Sequence, residues 1–123
     1  MVTLDRAAGG TASIRADVRD LPFVSGAFSL VLCDSVMDTW MGWGHDCAAA
    51  ELKRVVHPGG ALLLIAAALE GSEEPAGARL TGREELLRWV DDFRLVELLY
   101  VRLDYPAASG VRAQWALLAR RPA

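Results

Sequence analysis

Two apolar runs frame the middle of the chain. Phe28 to Leu32 (FSLVL) is followed at once by the more polar Cys33 and Asp34, and Ala61 to Leu69 (ALLLIAAAL) carries no charge. Between them, Asp46 to His57 repeats with helical period: Ala48, Leu52, Val55 and Val56 form an apolar stripe, and Pro58-Gly59-Gly60 stops it. Asp46 stands where an N-cap is expected. Strand, helix and strand in that order predict a βαβ unit. Because neither run alternates with polar residues, the strands are expected to be parallel and covered on both faces. Ligands of such sheets lie beyond the carboxyl ends of the strands. That directs attention to Cys33–Trp40 and to the residues just after Leu69.

The flanks carry shorter patterns. In Ser13 to Val18, Ile14, Ala16 and Val18 alternate with Ser13, Arg15 and Asp17, which predicts a short strand. Arg19-Asp20-Leu21-Pro22-Phe23 and Ser25-Gly26 read as turns. Trp40 to His45 (WMGWGH) is a connector with two glycines and two indoles, and Glu70 to Arg79 is a polar loop. Thr81-Gly82-Arg83-Glu84 has capping-box spacing and predicts a helix with Leu86, Leu87 and Val90 on its apolar face, ended by Asp91-Asp92. Phe93 to Tyr105 and Val111 to Leu118 alternate as two strands around a turn at Pro106–Gly110, so an antiparallel pair closes the chain.

The first ten residues have two readings. Val2-Thr3-Leu4 favours a strand ending at Asp5. Arg6-Ala7-Ala8-Gly9-Gly10 favours the tail of a helix, Met1 to Ala8, with the glycines as its C-cap. Spacing argues for the helix: Asp5 lies only 12 residues before Asp17, too few for a three-turn helix and two connections.

Composition narrows the function classes. With 123 residues, 53% hydrophobic and 24% charged, the chain fits one globular domain and not a disordered segment. A net charge of −3 gives no electrostatic reason to expect nucleic acid. No uninterrupted apolar stretch is long enough to predict a membrane span, and the first residues lack the basic and apolar regions of a signal peptide. Cys33 and Cys47 have no metal or redox spacing; with no export signal they fit a reduced cytoplasm and small buried side chains. Two separated histidines and scattered carboxylates offer no metal ligand set.

Three segments taken in order, ADVRDLPF (Ala16–Phe23), FSLVLCDSVMDTW (Phe28–Trp40) and AAAELKRVVHPGGALLLI (Ala48–Ile65), resemble class I S-adenosylmethionine-dependent methyltransferases of the small-molecule type. The similarity extends from about Ala8 to Arg120. It implies a Rossmann-like α/β fold, mostly parallel with a carboxyl-terminal antiparallel hairpin and helices on the faces. It also implies S-adenosylmethionine as cofactor and a small-molecule methyl acceptor. Asp17 matches the acid that accepts a hydrogen bond from the adenine amino group, and Val18 the neighbour whose N–H meets the ring. Cys33 matches the position facing the methionine moiety. Trp40, Trp43 and His45 fall on the substrate side. Methyl transfer rests mainly on positioning, so no catalytic residue need stand out.

The sequence departs from the family pattern in one respect: it contains no GxGxG. On the helix reading of Met1–Ala8 it resembles a single methyltransferase domain, residues 1–123, without its amino-terminal third. The expectations that follow are a cofactor site that is weak or inactive alone, and in-frame coding for an acid and a glycine-rich loop upstream of Met1. The alternative is a non-catalytic interaction module derived from such an enzyme. The sheet is expected to close up as about five strands, with Ser13–Val18 moving beside Phe28–Leu32. Otherwise a homodimer or a completing partner chain would cover the edge. Phe28–Leu32 and Ala61–Ala68 would then be central.

Overall fold

The computed structural model describes residues 2–5, 14–38, 44–72, 79–104 and 111–123. In chain order the elements are β1 (Leu4–Asp5), β2 (Ile14–Arg15), β3 (Phe28–Asp34), a 3-10 turn (Val36–Asp38), α1 (His45–Arg54), β4 (Val56–Ala67), α2 (Arg83–Trp89), β5 (Arg94–Arg102) and β6 (Ala113–Arg120). The Pro106–Gly110 turn, Gly9-Gly10 and the indoles Trp40 and Trp43 lie outside the described residues.

The main sheet has four strands in the order β3-β4-β6-β5. β3 and β4 are parallel, with Cys33 opposite Leu64; β6 is antiparallel to both β4 and β5. β1 and β2 form a separate parallel pair, Leu4 opposite Ile14 and Asp5 opposite Arg15. Three expectations change here. Leu4–Asp5 is a strand, so the helix reading of Met1–Ala8 fails. The spacing objection assumed a helical crossover. Two-residue strands require a return of only ~7 Å along the strand and ~5 Å sideways, short enough that a helical crossover is not required. Second, the Ser13–Val18 strand does not move beside Phe28–Leu32: β2 pairs with β1, and among the described residues β3 has a strand partner on one side only, β4. Third, the centre of the sheet is β4 and β6, because the last strand inserts between β4 and β5 and leaves β3 as an edge.

Side chains alternate across this sheet, and its two faces differ. On one face Cys33, Leu64 and Leu117 stand in one row, with Leu62, Ala66, Trp115 and Ala119 beside them, all buried. α1 (Ala48, Ala49, Leu52) and α2 (Leu86, Trp89) pack into the same core. On the other face the row is Leu32, Leu63, Leu118 and Glu97, and none of these belongs to the core cluster. Leu30 and Leu32 are 61% and 60% exposed. The expected two-sided covering is thus one-sided among the described residues.

α1 ends at Arg54, earlier than its periodicity predicts, and β4 already includes Pro58-Gly59-Gly60. Gly59 adopts φ +81°, which an L side chain resists, and a Cβ on Gly60 would lie 2.7 Å from the Ser29 carbonyl oxygen. The Pro-Gly-Gly segment therefore breaks the helix and also lets β4 run close beside β3. The capping expectations are corrected too. Gly44 and Gly82 hold the N-cap positions, with no side-chain cap bond. Asp46 instead accepts the Trp89 indole N–H at 3.0 Å, tying α1 to α2. Thr81 is buried beside β4, its N–H donating to the Ala67 carbonyl at 2.8 Å. The first turn of α2 is served by Glu70, whose Oε1 accepts from the Arg83 N–H at 3.0 Å.

The carboxyl-terminal part of α1 also fixes the Leu21–Phe23 turn. The Arg54 guanidinium donates to the carbonyls of Phe23 (2.8 Å) and Leu21 (3.1 Å), and the Glu51 carboxylate accepts from the Leu21 N–H at 2.9 Å. Arg54 also pairs with Glu51, and its guanidinium holds that carboxyl below the usual glutamate range.

Candidate functional site

The candidate site is assembled from the carboxyl ends of the parallel strands. β3 ends at Asp34, and Ser35 then turns the chain sharply with φ 61°, the single positive-φ non-glycine residue among those described. Such a conformation is uncommon for a residue with a Cβ, and its surroundings must hold it there. They do: the Ser35 N–H donates to the Ile65 carbonyl at 2.9 Å, and its hydroxyl to Asp34 Oδ1 at 2.9 Å. The 3-10 turn follows, with Met37 fully buried.

Asp38 locks this turn onto β4. Its Oδ1 accepts the Ala67 N–H at 2.7 Å, and its carbonyl accepts the Arg79 N–H at 2.8 Å. Burial pushes the Asp38 carboxyl above the usual range; the Ala67 N–H opposes that shift and nearby Asp34 adds to it. Beyond β4, the Leu69 N–H donates to Thr81, and the Tyr100 hydroxyl donates to the Glu70 carbonyl at 2.8 Å. The strand ends are thus cross-tied by backbone and carboxylate hydrogen bonds.

At the end of β2, the chain turns from Asp17 to Asp20, whose N–H donates to the Asp17 carbonyl at 3.0 Å. The Asp17 carboxylate is engaged by Arg19: Oδ1 accepts the Arg19 backbone N–H at 2.9 Å and Nε at 3.0 Å, and Oδ2 accepts Nη2 at 2.6 Å. The Arg19 stem passes across Gly44, where a Cβ would lie 2.1 Å from Arg19 Cδ. Gly44 is therefore the surface that lets Arg19 reach along the start of α1.

The sequence-predicted residues distribute unevenly. Asp17 and Val18 sit together after β2, with Val18 buried. Cys33 is near the end of β3, but its side chain belongs to the core, and burial raises its thiol to about 12, so it is neutral at neutral pH. His45, expected as the last residue of the connector, is helical. It opens α1, is 5% exposed and stacks on Trp89 with ring centroids 6.5 Å apart. One residue outside the expected site joins it: as a strand, Leu4–Asp5 brings Asp5 to the end of β1, beside β2. The β-favouring Val2-Thr3-Leu4 run was its signal.

This arrangement, a Rossmann-like sheet with its ligand end at the strand carboxyl termini, defines the class I methyltransferase fold. Residues 1–64 match the model of a family described as a methyltransferase domain. That match covers more than half of the chain, and the chain belongs to this family, whose cofactor is S-adenosylmethionine. Solved structures agree in fold. The methyltransferase from Methanosarcina mazei superposes with a TM-score of 0.74 at 14% identity, over 96% of this chain and 71% of that one. The N1-methyltransferase of 1,6-didemethyltoxoflavin from Burkholderia thailandensis, solved with that compound and S-adenosylhomocysteine, gives 0.71 at 14%, over 98% and 60%. The (4+2)-cyclase SpnF gives 0.68 at 19%, over 89% and 56%. This chain spans between about half and three-quarters of those proteins. No curated protein matches the sequence. Among the described residues no helix is long and apolar enough to cross a membrane.

Proposed function

We propose that this chain carries the adenine end and the acceptor side of an S-adenosylmethionine-dependent methyltransferase acting on a small molecule. We further propose that its 123 residues do not form a competent cofactor site by themselves. The observation that carries the reading is the pairing of β1 with β2, which sets two acids, Asp5 and Asp17, at or just beyond neighbouring parallel strand ends. A carboxylate there is an acceptor for the ligand's hydroxyl and amino groups, as in dinucleotide-binding sheets. In this assignment Asp5 takes the ribose hydroxyls, Asp17 the adenine amine, and the Val18 N–H the ring. The backbone near Cys33, whose own side chain is in the core, borders the methionine side, and Trp40, Trp43 and His45 are assigned to the acceptor side. The cofactor supplies an electrophilic methyl on sulfur. The protein's part is to hold the acceptor atom in line with it.

The residues fit that group incompletely. The acids are in place, but the sequence has no glycine-rich turn to let backbone N–H groups approach the ligand. Calorimetric titration of the chain with S-adenosylmethionine is expected to give a Kd in the millimolar range, about −4 kcal/mol. A micromolar Kd would defeat the proposal.

A second reading is favoured by one observation. Edge strand β5 carries Arg94, Glu97 and Arg102, the charges that discourage edge pairing, whereas edge strand β3 carries only Asp34. On this reading the chain is a non-catalytic module whose β3 edge is covered by a second copy or another chain. The cytoplasm, with no nucleic acid or membrane partner, suits either reading.

A further inference from the structure

A carboxylate has about four acceptor positions, and in Asp17 three are taken by one neighbour, Arg19. The contact is a fork: Nε and Nη2 meet the two carboxylate oxygens side by side, the geometry in which arginine holds carboxylates best. It also neutralises the charge that would draw an exocyclic amine. The contact is local, between residues two apart, and both side chains are about 30% exposed, so solvent competes with it. Its direction is set from outside the turn, by Gly44, which leaves a channel for the Arg19 stem.

We propose that Arg19 determines whether the strand end reads the 6-amino group of a purine. While the fork is closed, Asp17 discriminates poorly between an adenine and a purine lacking that group. When Arg19 leaves, Asp17 accepts the amine. The inference rests on the assignment of Asp17 to the adenine end, and it deepens that assignment by naming the residue that controls it.

The test compares the intact chain with Arg19→Ala and Arg19→Lys. Each is titrated by calorimetry with S-adenosylhomocysteine and with its analogue carrying hydrogen in place of the 6-amino group. Circular dichroism confirms that each variant is folded. Arg19→Ala is expected to bind S-adenosylhomocysteine about tenfold more tightly than the unsubstituted chain, a gain of about 1.4 kcal/mol. It is also expected to prefer the amino ligand over the analogue about tenfold, whereas the unsubstituted chain shows almost no preference. Arg19→Lys, which keeps the charge but loses the fork, falls between. Equal or weaker binding by Arg19→Ala, no detectable binding by any form, or tighter binding without a preference for the amine each overturns the proposal. Asp17→Asn added to Arg19→Ala separates the two claims. Loss of the amine preference supports both. If the preference survives, the assignment of Asp17 itself is wrong. The absolute affinity of the unsubstituted chain, which bears on competence, does not enter these ratios.

Discussion

The two faces of the four-stranded sheet are built from the same kinds of residue and meet different fates. Leu64 and Leu117 lie under α1 and α2; Leu63 and Leu118, one position away on the same strands, lie outside the core. At β3 the contrast is between Cys33, which is buried, and Leu32, which is 60% exposed. An apolar run such as ALLLI is suited to burial on both sides, and here it is buried on one. The lesson is that composition records what a strand is suited for, not what covers it. The less covered face adjoins β3, which among the described residues has a strand partner on one side only, so this region brings exposed apolar side chains next to a sheet edge.

The sharpest way to break this comparison is to truncate one leucine on each face. Leu64→Ala should cost about 2–5 kcal/mol by urea denaturation, because it empties a packed site. Leu32→Ala should stay within about 0.5 kcal/mol, as an exposed substitution does. Equal losses would mean that the second face is covered after all. The next effect is on association. Exposed leucines beside a strand that is an edge among the described residues make a surface for self-contact. Light scattering should give a mass that rises with concentration above 13.3 kDa, and the double substitution Leu30→Lys, Leu32→Lys should return it toward the monomer. A mass independent of concentration in the unsubstituted chain would contradict this.

The smallest effect is on pH dependence. Burial raises the Asp38 carboxyl in the folded state, so folding favours its protonated form, and stability falls as pH rises from the ordinary aspartate range through that raised value. Glu51 and Asp92 have the opposite sign. Arg54 and Lys53 hold them low, so their contribution is present at neutral pH and is lost as pH falls below the usual carboxylate range. Stability should peak in mild acid. Asp38→Asn, which keeps an acceptor for the Ala67 N–H, should flatten the neutral side of the peak and leave the acid side unchanged. An unchanged neutral limb would remove Asp38 from the account.

Much of the order of elements was legible. Phe28–Leu32 and Ala61–Leu69 announce β3 and β4 because apolar runs of strand length, bounded by polar residues or glycine, have few other uses. The family resemblance rests on the same stretch. What stayed hidden depends on contacts that local pattern does not encode. Glu51 and Arg54 look like surface charges on a helix until the fold brings Leu21 and Phe23 under them, some thirty residues away. The Thr81 capping box has the right spacing, but burial beside Ala67 takes Thr81 out of that role and Glu70 fills it. The 12-residue spacing from Asp5 to Asp17 excludes a strand only where the strands are long, and here β1 and β2 have two residues each. Asp17 and Arg19 were both visible. Their spacing of two permits pairing, but only the path of the Arg19 stem past Gly44 shows that the guanidinium turns onto Asp17.

The central claim is the proposal that this chain binds the adenosyl group at the carboxyl ends of β1, β2 and β3 and holds it weakly. Amide NMR of the labelled chain, titrated with S-adenosylhomocysteine into the millimolar range, tests it most directly. Fast-exchange shifts are expected at Asp5, Asp17, Val18 and Cys33–Asp38, with the Leu63 and Leu118 amides unmoved. Shifts centred on the open face of the sheet, or none at saturating ligand, would contradict it.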